Sequence, residues 1–336
     1  YYLKINEKGT NLQWTQSLHI PITTSPVLED FNQDKVLDVT VGCSDGKIYV
    51  LDGRSGKVLN KFEIPSKSRV ASTPAVGDIN RDGIPEIIIG GEDHRIYAFS
   101  ENWNSPLSYK TNGEIKQSPV ITSLTSKHDI QVICVSKDNN AYLWEPLNGY
   151  VTTVFSLDST PSISPIIADI NQDGVEDFIF ATESGIISII DGYNHHLIDS
   201  VTVDGPVLSI EVGDIDNDGF SDLLITIQQK IYLYSTSVPI TNNSLLWPTL
   251  YGNLHRTNKL DAKYLLAVSQ KMQLHQNEVQ VLFDNALSLK NNKQWDKAIE
   301  TFKKVLMLNS NHPGAEYQIR TIPFTKNKPF IIKSII

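Results

Sequence analysis

One short motif recurs along the first two thirds of the chain and constrains the fold more than any other feature. A Ser-Pro or Thr-Pro pair leads without gaps into an Asp at 25–30, 73–78 and 164–169, and a weaker copy without the proline reaches Asp214. The motif Asp residues lie 48, 91 and 45 positions apart, and 91 is about two periods. Self-similarity at this spacing is typical of stacked repeat architectures.

The doubled gap predicts one further copy near residue 123, and a degenerate copy is present there. Ser118 and Pro119 lead into Ser123, but the polar positions that follow have become Thr125, Lys127 and Gln131. This copy keeps the apolar pattern of the repeat but lacks the acidic residues of its loop.

Each copy continues with an alternating apolar run, a tight turn and a second run that contains an aromatic residue. Examples of the second run are 46–50, 94–98, 140–144 and 230–234. Alternation with period two and enrichment in β-branched residues predict strands. A further turn and a short strand bring the unit to about four strands in about 45 residues, which is a propeller blade. A β-sandwich or a solenoid does not normally repeat a four-stranded unit of this length.

The predicted fold class is therefore mainly β, a β-propeller of four-stranded blades with a small C-terminal α-helical hairpin. Five repeat units are visible, either alone or within a six- or seven-bladed ring. We place the propeller at 1–235, with blades at about 19–65, 66–111, 112–156, 157–204 and 205–235, and with 1–18 completing a blade. A connector at 236–260, a helical segment at 261–320 and a tail at 321–336 follow.

The loops that begin at the motif Asp residues have the composition of a calcium site. In the second loop, Asp78, Asn80 and Asp82 alternate, and the glycine after them allows a sharp turn. Ile84 can offer its backbone carbonyl, and Glu86 closes the loop. Hard, mostly anionic oxygen donors that converge on one point suit Ca²⁺ better than Mg²⁺, which demands tight octahedral geometry and retains water.

The four loops together supply sixteen candidate side-chain ligands and four candidate carbonyls, enough for up to four Ca²⁺. The side chains are Asp30, Asn32, Asp34, Asp38, Asp78, Asn80, Asp82, Glu86, Asp169, Asn171, Asp173, Asp177, Asp214, Asp216, Asp218 and Asp222. The carbonyls belong to Val36, Ile84, Val175 and Phe220. The first loop has Lys35 where the others have glycine, which leaves its turn geometry open. Lys127 would place its own cation in the degenerate unit, which we expect to be metal-free.

Two alternatives to a calcium-binding blade loop remain. An EF-hand requires a bidentate Glu at position 12 and a following helix, whereas the twelfth residues here are apolar and lie in strands. An acidic turn can also exist without metal. Carboxylates crowded into one loop repel one another, so four copies in register favour metal. Four bound Ca²⁺ would change the formal charge from -9 to -1.

These repeats resemble the FG-GAP/VCBS family, the integrin α-like calcium-binding propeller repeats, over about residues 1–235. The segment Asp-Ile-Asn-Gln-Asp-Gly-Val-Glu-Asp at 169–177 carries the resemblance most specifically. The second runs are also similar to quinoprotein-like propeller strands. The family resemblance implies calcium loops that fix the blades, with ligand recognition on the opposite face.

The C-terminal helical segment resembles about one tetratricopeptide repeat. From residue 261 onward apolar residues recur at steps of three and four, and these stripes predict helices. Ala286, Trp295, Ala298 and Phe302 match small and aromatic signature positions, whereas Asn285 and Ser310 depart from them. A single helical pair leaves apolar surface uncovered. The sequence is compatible with a helical hairpin packed as a cap and with a peptide-binding groove.

Composition and motifs narrow the function class. Lys and Arg are scattered in an acidic chain, which disfavours a nucleic-acid partner, and no apolar run is long enough to span a membrane. We expect no catalytic site, because known nucleophile, phosphate-loop and zinc signatures are missing. The leading hypothesis is a non-catalytic module whose blade loops are fixed by Ca²⁺ and which binds protein or glycan in an extracellular, cell-surface or periplasmic setting. The alternatives are a quinone-dependent oxidoreductase or lyase, and a sensor segment of a larger receptor or kinase.

Overall fold

The structure is a computed structural model, and it describes residues 3–6, 9–122, 130–171, 173, 175–213, 215, 220–239, 277, 279–308, 314–320 and 322. The chain divides into two compact units, residues 1–270 and 271–336. Each unit is treated separately below.

The first unit is made of antiparallel sheets whose strands follow one another in sequence order. The first blade contains β3 (Val27–Glu29), β4 (Asp38–Gly42), β5 (Lys47–Leu51) and β6 (Val58–Glu63). The second contains β7 (Ala75–Gly77), β8 (Glu86–Gly90), β9 (Arg95–Phe99) and β10 (Leu107–Lys110). The third contains β11 (Val120–Thr122), β12 (Gln131–Ser136), β13 (Asn140–Glu145) and β14 (Tyr150–Ser156). The fourth contains β15 (Ile166–Ala168), β16 (Asp177–Ala181), β17 (Ile186–Ile190) and β18 (Leu197–Thr202).

Two further sheets have fewer strands in the described part of the chain. The fifth blade contains β19 (Val207–Gly213), β20 (Phe220–Ile227) and β21 (Ile231–Pro239). A hairpin of β1 (Leu3–Asn6) and β2 (Gly9–Leu12) forms a two-stranded sheet. The four-stranded repeat confirms the predicted β-propeller blades. The predicted domain boundaries remain predictions.

The blades pack face to face through two rows of apolar side chains. Strand residues alternate between the two faces of a sheet, and the face that packs on the next blade is called here the forward face. Ile48 and Val50 of the first blade lie in one buried cluster with Ile87, Ile89 and Tyr97 of the second. The same arrangement recurs between the fourth and fifth blades. Burial of these rows excludes water from both faces of each inner sheet and supplies the main hydrophobic stabilisation.

Antiparallel connections place the loops at two ends of each blade. The loop from the first to the second strand and the turn from the third to the fourth strand lie at one end, called the acidic end. The turn from the second to the third strand and the connection to the next blade lie at the other, called the turn end. The thirteen candidate ligands that lie among the described residues therefore fall at the acidic end.

The second unit is helical in its described residues. Helix α1 covers 279–291, α2 is Trp295–Leu308 and α3 is Ala315–Arg320. Ala286, Ala298, Phe302 and Val305 are fully buried between them, as the apolar stripes predict. The tetratricopeptide interpretation stays a prediction. Among the described residues, none of the helices is both long and apolar enough to cross a bilayer.

Candidate metal centre

The first two acidic loops share one backbone geometry. In the first loop, the backbone N–H of Asp34 donates to Asp30 Oδ1 and to Asn32 Oδ1, both at 3.0 Å. In the second loop, Asp82 makes the same two bonds to its equivalents at 3.1 and 2.8 Å. Because one N–H reaches two side-chain oxygens, those oxygens point to a common position inside the loop.

Lys35 adopts the conformation that the sequence assigned to glycine. Its φ is 67°, against 86° for Gly83, and both lie in the left-handed region. The Lys35 N–H donates to Asp30 Oδ2 at 2.8 Å, and the Gly83 N–H donates to Asp78 Oδ2 at 2.9 Å. The turn that the sequence left open therefore has the same geometry in the first two loops. The loop keeps its shape and bears the left-handed strain of a non-glycine residue.

The third loop repeats the pattern at greater burial. The Asp173 N–H donates to Asn171 Oδ1 at 2.9 Å, and the Val175 N–H donates to Asp173 Oδ1 at 2.8 Å. Asp169 is 2% exposed and Asp173 is 9% exposed. A carboxylate so shielded from water gains more from a cation than one on the surface does.

The acid that closes each loop is fully buried at the start of the second strand. Asp38, Glu86, Asp177 and Asp222 are each 0% exposed. Asp177 accepts backbone N–H bonds from Ile170 at 2.7 Å and from Gly192 at 3.1 Å. This residue thereby joins the loop to the third-to-fourth-strand turn of its own blade.

Burial makes these closing acids hard to ionise. It raises the pKa of Glu86 to about 7, with the Asp82 charge adding to the effect. Burial, followed by the Asp173 charge, raises the pKa of Asp177 to about 8. Burial also raises the pKa of Asp38 above its ordinary value. A divalent cation would favour the ionised form of each of these groups.

Parts of two blade loops, the fourth acidic loop and the degenerate loop of the third blade, lie outside the described residues. Of the fourth loop, Asp214, Asp216 and Asp218 are not described, while Asp222 accepts the Ile215 N–H at 2.9 Å. The predicted ligands Asp214, Asp216 and Asp218 therefore remain predictions.

Residues 123–129 of the degenerate third loop are also outside the described residues, so the prediction for Lys127 remains open. In the described part of this blade, the closing position is Gln131, which is 6% exposed. Gln131 donates from Nε2 to Glu145 Oε1 at 3.2 Å.

Sequence reasoning missed a second polar contribution to the acidic loop of the fourth blade. Asp52, Glu145 and Asp191 all lie fourteen positions after the closing residue of their blade, at the end of the third strand. Asp191 is 9% exposed, and its Oδ2 accepts from Asn171 Nδ2 at 3.1 Å. The constant spacing of fourteen residues was the signal that could have revealed these side chains. It was missed because they reach the acidic end through the third strand and do not belong to the acidic loop itself.

The donor set fits Ca²⁺ by its chemistry. The first three loops offer carboxylate and amide oxygens from side chains that point inward. Within the described ranges, no three acidic, His or Cys side chains form a ready-made metal cluster, so the side chains would close around the ion. The N–H groups of Val36, Ile84 and Val175 each donate to the third side chain of their loop at 2.8 Å. The role of their carbonyls stays a prediction.

The turn end carries a row of alternating charges across neighbouring blades. Glu92 lies 3.6 Å from Arg69 and 3.6 Å from Lys116. Glu114 lies 3.0 Å from Lys116 and 3.3 Å from Lys137. The five side chains, called here the charged row, are partly exposed and offer both signs of charge to a partner.

The geometry of the first two blades agrees with a comparison against known families. The family model described as FG-GAP-like repeat matches residues 30–89. This segment is similar to an FG-GAP-like repeat. It runs from the first acidic loop, through the second, to the second strand of the second blade. The resemblance predicted from the sequence is confirmed for these residues. A search of the curated proteins finds no match.

The solved structure of Sqt1 supports the fold beyond the FG-GAP-like segment. Sqt1 from Saccharomyces cerevisiae superimposes with a TM-score of 0.56 at 10% identity, over 70% of this chain and 65% of that one. BBS1N in complex with ARL6DN matches with a TM-score of 0.47 at 17% identity, over 65% of this chain. BamB from Moraxella catarrhalis matches with a TM-score of 0.43 at 14% identity, over 69% of this chain and 82% of that one. The present chain spans 61% of the BBS1N chain.

Proposed function

We propose that this chain is a non-catalytic interaction module whose acidic loops bind Ca²⁺. The observation that supports the proposal most strongly is the repetition of one loop geometry around a fully buried closing acid. The first and second loops make equivalent bonds although one carries lysine and the other glycine at the turn. A geometry kept against backbone strain suits a function that depends on the position of the oxygens.

The ion would join two strands of one blade. The residues that would hold it are the loop side chains 30–34, 78–82 and 169–173 together with the closing acids. Because the closing acid also binds the turn after the third strand, an ion in the loop would stiffen the whole acidic end of its blade. Calcium would contribute charge neutralisation and a rigid loop.

The partner-binding surface in this proposal is the turn end. The charged row crosses at that end from the connection that leads into the second blade to the third blade, and the blades beneath it are rigid packed sheets. A surface with both signs of charge on a rigid support suits a protein partner with complementary charges, and a glycan is the alternative ligand. Such loops fill readily at millimolar Ca²⁺, so we place the module outside the cytoplasm, in an extracellular, cell-surface or periplasmic setting.

A thermal melt in chelator and across a Ca²⁺ titration tests the calcium part of the proposal, with Mg²⁺ as the ion control. Each independent site adds about 2.7 kcal/mol at a hundredfold excess of ion over Kd, so the midpoint should rise by many degrees. Asp173→Ala should reduce the rise. Asp138→Ala removes a carboxylate at the turn end, where it accepts the Tyr142 hydroxyl, and should leave the rise intact. A midpoint insensitive to Ca²⁺ would refute the metal assignment.

A further inference from the structure

One pair of residues recurs at the turn end of the first four blades. It joins the connection that enters a blade to the turn between the second and third strands of that blade, and its members always lie 23 positions apart. The N–H of the turn residue donates to the carbonyl of the connection residue. This bond measures 3.0 Å from Ser44 to Pro21, 3.0 Å from Lys137 to Glu114 and 2.8 Å from Glu183 to Thr160.

The two members of the pair balance each other in charge in the first three blades. The first blade has a proline and a serine, which carry no charge. In the second blade, Arg69 of the connection lies 3.6 Å from Glu92 of the turn, at the same spacing of 23 positions. In the third blade the signs are exchanged, and Glu114 of the connection lies 3.3 Å from Lys137 of the turn. Acid and base thus change places while the neutral sum is kept.

The fourth blade departs from this balance. Its turn residue is the exposed Glu183, but its connection residue is Thr160. In the part of the chain that the structure describes, no basic side chain lies within ion-pair distance of Glu183. Asp158 adds a second carboxylate here, because it accepts hydrogen bonds from the hydroxyl groups of Thr182 and Ser184, which flank the acid.

A cavity lies beside Glu183, between the third and fourth blades. Its volume is about 90 Å³, and its walls include Thr160 and Ser162 of the connection and Lys137 of the third blade. Threonine is shorter than the arginine and the glutamate that the second and third blades have at this position, so space remains beside the acid. Pockets that enclose a whole small ligand measure roughly 300–1,000 Å³. This cavity therefore suits the end of a single side chain.

The bases in the cavity wall already have counter-charges. Lys116 lies 3.0 Å from Glu114 and 3.6 Å from Glu92, and Lys137 lies 3.3 Å from Glu114. Among the described residues around the cavity, the charge that lacks a counter-charge is thus an acid. A cationic ligand would complete the pair in the fourth blade, whereas an anionic one would meet a like charge.

We infer that this cavity receives a basic side chain of a protein partner, whose cation pairs with Glu183 as Arg69 pairs with Glu92 in the second blade. Arginine fits better than lysine, because its planar guanidinium can donate two parallel hydrogen bonds to one carboxylate. The inference rests on the proposed role of the turn end as the partner-binding surface, and it does not depend on calcium.

Binding of a short arginine peptide to the isotope-labelled full chain tests the inference by NMR. The probe is acetyl-Gly-Arg-Gly-amide, and its citrulline counterpart is the uncharged control. We expect the arginine peptide alone to shift the amide signals of Thr160, Ser162 and Glu183. Glu183→Gln should weaken its affinity about tenfold, because the variant removes a charge-assisted hydrogen bond. Glu63→Gln removes the same charge from an exposed site on β6 and should leave the affinity unchanged.

Filling the cavity from within the chain is the second test. Thr160→Arg places a base where the second blade has Arg69, so it should weaken peptide binding by more than about tenfold without lowering the melting temperature. Equal shifts with the citrulline peptide, or no shift at these amides with the arginine peptide, would overturn the inference.

An affinity that both Glu183→Gln and Thr160→Arg leave unchanged would also overturn it, because the peptide would then bind elsewhere on the turn end. In that case the turn end would remain a partner-binding surface without this contact. A failure of the calcium proposal shows separately, as a melting midpoint that does not respond to Ca²⁺.

Discussion

Replacing Asp177 by Asn should change stability in opposite directions with and without calcium. Asp177 is a fully buried closing acid, and burial together with Asp173 raises its pKa to about 8 from a reference near 3.8. For an acid whose folded pKa is raised, the favourable contribution is present below the unfolded pKa and is lost as pH rises toward the folded pKa. The calcium-free protein should therefore lose stability between about pH 4 and pH 8.

The size of the effect follows from the shift and from the bonds that Asp177 makes. At pH 7.5, keeping this group in the fold costs on the order of 5 kcal/mol at 1.36 kcal/mol per pKa unit. Asparagine removes that cost, but its amide NH₂ group cannot accept hydrogen bonds from backbone N–H groups such as those of Ile170 and Gly192. Losing these bonds lowers the free energy of unfolding by about 2 kcal/mol. In chelator, Asp177→Asn should thus stabilise the fold by about 3 kcal/mol at pH 7.5, and the gain should vanish near pH 5.

With Ca²⁺ at a thousandfold excess over Kd the sign should reverse, because the variant lacks a ligand and forgoes about 4.1 kcal/mol of binding stabilisation, which exceeds the gain of about 3 kcal/mol in chelator. Urea unfolding at pH 7.5 and pH 5.0, each in chelator and in Ca²⁺, measures the difference in unfolding free energy between variant and wild type under all four conditions. Asp138→Asn is the matched control, and it should shift the free energy of unfolding equally in chelator and in Ca²⁺. An Asp177→Asn effect of one sign in chelator and in Ca²⁺ would refute the reasoning.

Three further perturbations test individual parts of the structure. Lys35→Gly should stabilise the apo fold by about 1 kcal/mol by relieving a left-handed φ, and Gly83→Ala, which meets nothing within 4 Å, should cost about 1 kcal/mol in urea unfolding. Burial lowers the pKa of His195, so thermal stability should fall as pH drops below about 6.5, and His195→Asn should flatten that profile. Gly192→Ala would place a Cβ 1.9 Å from a loop carbonyl and should cost about 2 kcal/mol or more by calorimetry, whereas Gly213→Ala, in open space, should cost under about 1 kcal/mol.

The repeat and the positions of the acidic loops were predictable from sequence because both depend on local spacing. Alternation identified the strands, and the position of each closing acid relative to its motif Asp placed Asp38, Glu86 and Asp177 at the start of a strand. The buried apolar stripes of Ala286 and Phe302 likewise followed from helical periodicity.

Other features depended on tertiary contacts that spacing alone does not reveal. The sequence left the turn at Lys35 open, and hydrogen bonds from the loop hold this residue in the left-handed region. Asp191 reaches Asn171 only because the third strand returns to the same end of the blade. The exposure of Ile231 and Leu233 on the third strand of the fifth blade could not be predicted either, since their sequence pattern matches that of buried pairs in the other blades.

Counting bound calcium ions tests the central claim most directly. Equilibrium dialysis with radioactive Ca²⁺ on the full chain should saturate at four ions, and at three after Asp173→Ala, with no change in Asp138→Ala. Such stoichiometry would tie each ion to one acidic loop of one blade. Saturation at zero, or a count that Asp173→Ala leaves unchanged, would contradict the account.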